Sequence, residues 1–358
     1  MRTGPNLTDE ILPLASAVLA LGAEIDRTES VEELRRHAVM SRRLAGDMIE
    51  AGYGAEIVTR MLSICNDRIT AQLVEWAIRR FRMPAAKWCW LGLGSEGRME
   101  QTLITDQDNG LIFAAGDDRE AAALRELFLP FARAVNEALA ECGFPLCEGE
   151  VMASNPDWCL SLEEWQARFS SWIRTPEPAA LLNATIFFDF RPLVGDFSLA
   201  QRLRGTLTDL AKGNDIFLRM MATNALSVEP PLGRIKDFAT DDDDGIDLKK
   251  HGSRLFVDVA RILALAEGVD AVSTIDRLRL TSGSGDALSG DAASKRFGFM
   301  ALQSIRLRSQ CAHIRISDAS NRVVPEQLNE FDRRVLLESL RQARGLQRQL
   351  KVRFDIQS

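Results

Sequence analysis

At 358 residues the chain is longer than one typical hydrophobic core and suits two or three packed domains. Its composition, 46% hydrophobic and 27% charged, is that of an ordinary globular protein, and a net charge of −7 argues against a broadly basic face for nucleic acid. Six scattered cysteines (Cys65, Cys89, Cys142, Cys147, Cys159 and Cys311) form no CxxC pair, so neither a zinc site nor a dense disulfide framework is suggested. Residues 1–6 lack the basic-then-apolar layout of a signal peptide, and no run reaches the roughly 18 apolar residues of a membrane span. The expected compartment is the cytoplasm, with no membrane partner.

From residue 7 to about residue 80 the pattern is helical. Ile57, Met61, Ile64, Cys65 and Leu73 recur at spacings near three and four, as one buried helix face requires. Ser30, three residues ahead of Glu33, reads as an N-cap with a capping box. This region is expected to be a helical bundle that supports or regulates the rest of the chain. The character changes at Pro84. Residues 88–93 are a short apolar run ending in Gly-Ser, which fits a buried strand entering a tight turn. Residues 110–114 form a second candidate strand. Residues 119–142 return to helical spacing, with Leu124, Leu127, Phe131, Val135 and Leu139 on one side. A strand at 150–153, a helix at 162–173 and a strand at 185–190 complete a mixed α/β unit. Beyond about residue 199 helices dominate, the last with Leu336, Leu340, Ala343 and Leu350 as its apolar stripe and arginines elsewhere. The boundaries predicted are 1–82 for the helical region, 83–198 for the α/β unit and 199–358 for a C-terminal helical domain.

The chemistry is concentrated in residues 91–113, LGLGSEGRMEQTLITDQDNGLIF. Gly94 lets the backbone approach a ligand, Ser95 adds a hydroxyl and an N–H, and Arg98 lies about one turn onward as a donor to the same phosphate. Asp106 and Asp108 are separated by one residue, so on extended backbone they point to one face. Two carboxylates side by side repel, and a cation relieves the repulsion; magnesium, which favours carboxylate and phosphate oxygens, suits the site, with manganese as its substitute. Either a lone Gly-Ser or a lone DxD is an ordinary turn or cap. The order strand, Gly-Ser, arginine, DxD, strand is far sharper and fits phosphoryl or nucleotidyl transfer.

The segment GSEGRMEQTLITDQDNGL resembles the signature of the signal-transduction nucleotidyltransferases, relatives of the PII-protein uridylyltransferases and the glutamine synthetase adenylyltransferases. The resemblance continues through CEGEVMASNPDW (147–158), FFDFRPLVGD (187–196), PPLG (230–233), DLKKHG (247–252) and VDVARILAL (257–265). It implies an α+β chain: a polymerase-β-like nucleotidyltransferase domain flanked by N-terminal and C-terminal helical bundles, the latter binding substrate. It implies that Gly94 and Ser95 hold a nucleoside triphosphate and that Asp106 and Asp108 bind the metal and are catalytic. UMP or AMP would then pass to a protein hydroxyl in signal transduction. Arg98, Glu100 and Gln101 fall on recurrent signature positions.

Two departures stand out. Such enzymes commonly add a third carboxylate, for which Glu148, Glu150 and Asp189 are candidates here, although Asp189 and Arg191 also suit a structural ion pair. The sequence begins directly with the helical segment rather than with CBS or cyclic-nucleotide-binding domains, so a sensing input is expected from a partner chain, a homodimer or a region outside this sequence. Lys249 is a candidate for a nucleotide phosphate, with a surface salt bridge as the alternative. The aspartate run at 241–244 lacks EF-hand spacing and reads as a solvated loop, and residues 281–289 read as a flexible Gly/Ser loop. His251 and His313 suggest no metal pair. Trp158, Trp165 and Trp172, seven residues apart, suggest core packing along one helix face. The rivals to a protein-modifying enzyme are a catalytically inactive nucleotide-binding sensor and an enzyme that modifies small molecules.

Overall fold

The computed structural model describes residues 7–233, 237–240, 244–281, 290–314 and 321–357. The chain divides into two compact units: Met1–Trp165 with Asp189–Leu203, and Gln166–Phe188 with Arg204–Ser358. Three long helices open the first unit, α1 (Leu7–Arg27), α2 (Val31–Glu50) and α3 (Ala55–Ile78). Then come β1 (Trp88–Gly92), the single turn α4 (Gly94–Gly97), β2 (Asn109–Phe113), α5 (Asp118–Glu141) and β3 (Cys159–Ser161). The helix α6 (Leu162–Arg174) comes next, α7 (Pro178–Phe187) falls to the second unit, and β4 (Arg191–Gly195) and the start of α8 (Phe197–Ala211) return to the first.

The sheet has the order β3-β2-β1-β4. β1 is antiparallel to both β2 and β4, whereas β3 is parallel to β2 at the edge. Gly92 opposes Asn109 and Trp88 opposes Phe113, which fixes where the Gly-Ser turn stands against the DxD segment. The core lies between this sheet and α5. Trp88 and Trp90 of β1 meet Phe131 at ring-centroid distances of 5.5 and 6.4 Å, and Phe113 stacks on Phe128 at 5.2 Å. Trp165 stacks on Trp158 at 6.1 Å and its indole N–H donates to the Leu111 carbonyl at 3.1 Å, so these tryptophans pack rather than bind.

Several elements differ from the sequence reading. Ser30 does stand at the N-cap of α2 with extended backbone, but its side chain makes no capping hydrogen bond. In α3 the buried face is Val58, Met61, Leu62, Cys65, Ile69 and Leu73, while Ile57 is 55% exposed and Ile64 is exposed too. In α5 Leu127 is 53% exposed and Phe128 is buried in its place. Spacings of three and four fit two neighbouring faces of a helix equally, and packing chooses between them. Residues 150–153 form no strand: the chain turns at Glu150, whose φ is 53°, and the strand on that side is β3. Residues 185–190 form no strand either. Pro178 starts α7, whose Ala180, Leu181, Ala184 and Phe187 are buried, and the strand begins only at Arg191.

The second unit is helical: α9 (Asp215–Leu226), α10 (Arg254–Glu267), α11 (Thr274–Leu280), α12 (Gly290–Ile314) and α13 (Glu330–Arg353), with a two-stranded ladder of β5 (Ile246–Asp247) and β6 (Arg322–Val323). The stripe Leu336, Leu340, Ala343 and Leu350 of α13 is fully buried. Of the expected loops, residues 241–243 and 282–289 lie outside the described residues, as does the side chain of His313. Among the described residues no helix is long and apolar enough to cross a membrane.

Candidate active site

The Gly-Ser turn leaves β1 and folds onto the start of β2. Leu93 donates its amide to the Asp108 carbonyl at 2.8 Å, which extends the β1–β2 ladder past its last pair. Gly94 has φ 53°, and a Cβ placed on it would lie 2.9 Å from Asp108 Oδ2. The backbone therefore passes directly over that carboxylate, at a position only glycine fills without strain.

Asp106 and Asp108 lie in the lead-in to β2 and are half-buried, and Gln107 between them is buried. Gln107 donates its side-chain amide to the carbonyls of Asn136 and Phe144 at 3.0 and 2.8 Å. Asn136 donates to Gln107 Oε1 at 2.7 Å and Asn109 Oδ1 at 3.0 Å, and the Ala153 amide donates to Asn109 Oδ1 at 2.8 Å. The amides between the acids thus lock their backbone to α5 and to the turn after it, and the acids face outward by alternation. That turn brings a third donor: the ligand atoms of Asp106, Asp108 and Cys147 all lie within 4.8 Å of one another. Cys147 is half-buried. Glu148 and Glu150, in the same turn, are exposed.

Two arginines, each with its own carboxylate partners, support the frame. Arg98 donates to Glu100 Oε2 at 2.8 Å and to Asp189 Oδ2 at 2.7 Å, and Asp189 is 0% exposed. This guanidinium, expected to reach a phosphate, stands between two carboxylates. Arg191 forms a two-pronged pair with Asp67 of α3 at 2.9 and 3.0 Å and donates to the Glu96 carbonyl at 3.0 Å. The alternative Asp189–Arg191 pair is thus not the one formed: each residue has a different partner. Gly97 is where the two halves of this frame touch. A Cβ there would fall 2.8 Å from the Asp189 carbonyl carbon and 3.0 Å from the Gly92 carbonyl oxygen. α3 contributes further, with Asn66 donating to Gln101 Oε1 at 3.1 Å.

Burial pushes the Asp67 carboxyl up, against the pull of Arg191. Glu96, 6% exposed, is pushed well above the usual carboxylate range by burial and by the charges of Asp67 and Asp108, again opposed by Arg191. Glu96 shares a cavity of about 10 Å³ with Asp106, Asn66, Thr70, Gln101 and Asn109. Sequence reading missed Glu96, Asp67 and Cys147. Glu96 and Cys147 sit inside the motif blocks, but Asp67 lies on a helix with no chemical signature. Lys249 belongs to the second unit, where its amide donates to Asp247 Oδ1 at 2.8 Å.

The donor set suits a divalent cation: two carboxylates converge on one point beside a turn that admits no side chain. Two family models match the chain in order. The first, described as "Putative nucleotidyltransferase DUF294", covers residues 40–179, and the second, "Putative nucleotidyltransferase substrate binding domain", covers residues 215–354. No curated protein matches the chain.

Proposed function

We propose, for a chain that belongs to the DUF294 nucleotidyltransferase family, a magnesium-dependent transfer of a nucleoside monophosphate from UTP or ATP to a protein hydroxyl. The observation that carries this reading is the packing of the Gly94 turn against Asp108, with the Asp106 carboxylate within 4.8 Å of that of Asp108. Asp106 and Asp108 would hold Mg2+, or Mn2+ in its place, and the bound cation would neutralise charge on the triphosphate and on departing pyrophosphate. Gly94 and Ser95 offer backbone to the triphosphate and keep it against the acidic pair. The acceptor oxygen attacks the α-phosphorus, the bond to the β-phosphate oxygen breaks, and the hydroxyl proton leaves to a base. Asp189 is committed to Arg98, so Glu148 and Glu150 are the carboxylates open to that proton. Arg98 acts through the frame rather than on phosphate. The family resemblance supports a protein acceptor in signalling, and six free thiols accord with a reducing cytoplasm.

A second reading, a nucleotide-binding sensor without turnover, is favoured by one observation: the third donor beside the acids is a thiol and not a carboxylate. One experiment separates the two. Each α-labelled nucleoside triphosphate is incubated with the protein, Mg2+ and a cell extract. Label on a discrete protein, reduced about a hundredfold or more in Asp108→Asn, supports the enzyme. Nucleotide binding with no label moved under any condition supports the sensor.

A further inference from the structure

We propose that Cys147 completes the metal site, so that Asp106, Asp108 and Cys147 form an O,O,S donor set that takes Zn2+ in competition with Mg2+. The inference rests on the metal-site part of the proposed function and extends it from the acidic pair to the thiol. Geometry carries it. Three ligand atoms from two separate segments converge within 4.8 Å, with the thiol delivered by the turn whose backbone is tied to Asn109. A carboxylate pair alone is a hard site suited to Mg2+; a thiolate added to it shifts preference toward borderline and soft cations. A second observation adjoins one of the three ligands, Asp106. Glu96 is 6% exposed, a carboxyl placed in the interior beside this site. It lines, with Asp106, a cavity sized for one water or small ion. On metal binding the Cys147 thiol gives its proton to solvent and its sulfur lone pair to the cation.

The test uses the full chain without nucleotide, and Cd2+ as the probe. Thiolate-to-cadmium charge-transfer absorption is expected at one equivalent, lost in Cys147→Ser and kept in Cys311→Ser, the other half-buried thiol. By chelator competition, Zn2+ should bind Cys147→Ser at least about tenfold more weakly, while Mg2+ affinity changes less than about twofold. Asp108→Asn should weaken both. A band that persists in Cys147→Ser, or Cd2+ affinity unchanged in Asp108→Asn, overturns the proposal. Should Cys147→Ser fail to fold, cadmium NMR of the wild-type chain decides, because the chemical shift reports whether sulfur is bound. Label transfer is read separately. The expected band without transfer sinks the transferase and leaves the donor set standing, and transfer without the band does the reverse.

Discussion

Gly97→Ala is the sharpest test of the frame around the acids. The added Cβ would sit 2.8 Å from the Asp189 carbonyl carbon and 3.0 Å from the Gly92 carbonyl oxygen. The Asp189 carbonyl oxygen lies closer still, and against ordinary carbon contacts near 3.5–4.0 Å the overlap exceeds about 1 Å. Both opposing groups are backbone, one leading into β4 and the other closing β1, and no side chain can rotate away. Overpacking of this kind costs about 1–3 kcal/mol, and the upper end is expected where only backbone can yield. With a urea m-value of about 2–3 kcal/mol/M, a loss of about 3 kcal/mol lowers the unfolding midpoint by roughly 1–1.5 M. Tryptophan fluorescence is the right probe, because Trp76, Trp88, Trp90, Trp158 and Trp165 lie in the first unit and only Trp172 in the second. Gly205→Ala in α8 is the control, since nothing lies within 4 Å of its added Cβ. It should be neutral or stabilising by up to about 1 kcal/mol. A Gly97→Ala chain that unfolds at the wild-type midpoint would refute the close approach.

Three other outcomes are expected. Arg98→Met removes that cation from the fully buried Asp189 and should cost about 3–5 kcal/mol by the same fluorescence assay, with partial recovery in the Arg98→Met, Asp189→Asn double variant; equal midpoints for all three chains would sink the pairing. Glu96 has a folded pKa raised above its ordinary 4.5, so the folded chain keeps a proton that the unfolded chain has lost. Its stabilising contribution is therefore complete below about pH 4.5 and is lost as pH rises through the raised value. Glu96→Gln, which mimics the protonated form, should gain midpoint over wild type progressively across that window; a difference that does not vary with pH contradicts the burial argument. Burial pushes the thiols of Cys89 and Cys159 up to about 12 and that of Cys142 to about 11. Titrated with a thiol reagent at mild pH, the native chain should react first at half-buried Cys147 and Cys311, through their access to solvent, and at the other four only after unfolding.

The strand, turn and DxD order is legible in the sequence because each part depends on neighbours along the chain: an apolar run, a glycine, alternating acids. Helices α5 and α13 are legible for the same reason, from spacing alone. What escapes is decided by distant residues. Phe187 and Phe188 read as strand, yet Pro178 and a buried face commit Phe187 to a helix. The partner of Arg98 is not legible locally, because Asp189 lies 91 residues away. Cys147 reads as one more scattered thiol, and nothing local tells that Gln107, Asn109 and Asn136 tie its turn to the acids. Asp67 stands in an ordinary amphipathic helix, and its role depends on an arginine 124 positions later.

The chain passes between its two units three times, after Trp165, after Phe188 and after Leu203. No single scissor cut therefore isolates the unit that carries the acidic pair. A fragment ending at residue 165 would leave β1 with a raw edge where β4 belongs, and Asp67 and Arg98 without Arg191 and Asp189. The matched nucleotidyltransferase segment itself stops at residue 179, short of β4. Whoever trims this protein for expression, or transplants its acidic pair into another scaffold, must carry the later strand along. Its inheritance is bound by the same stitching, since gene shuffling at either of the first two joints would discard residues that hold the site in shape.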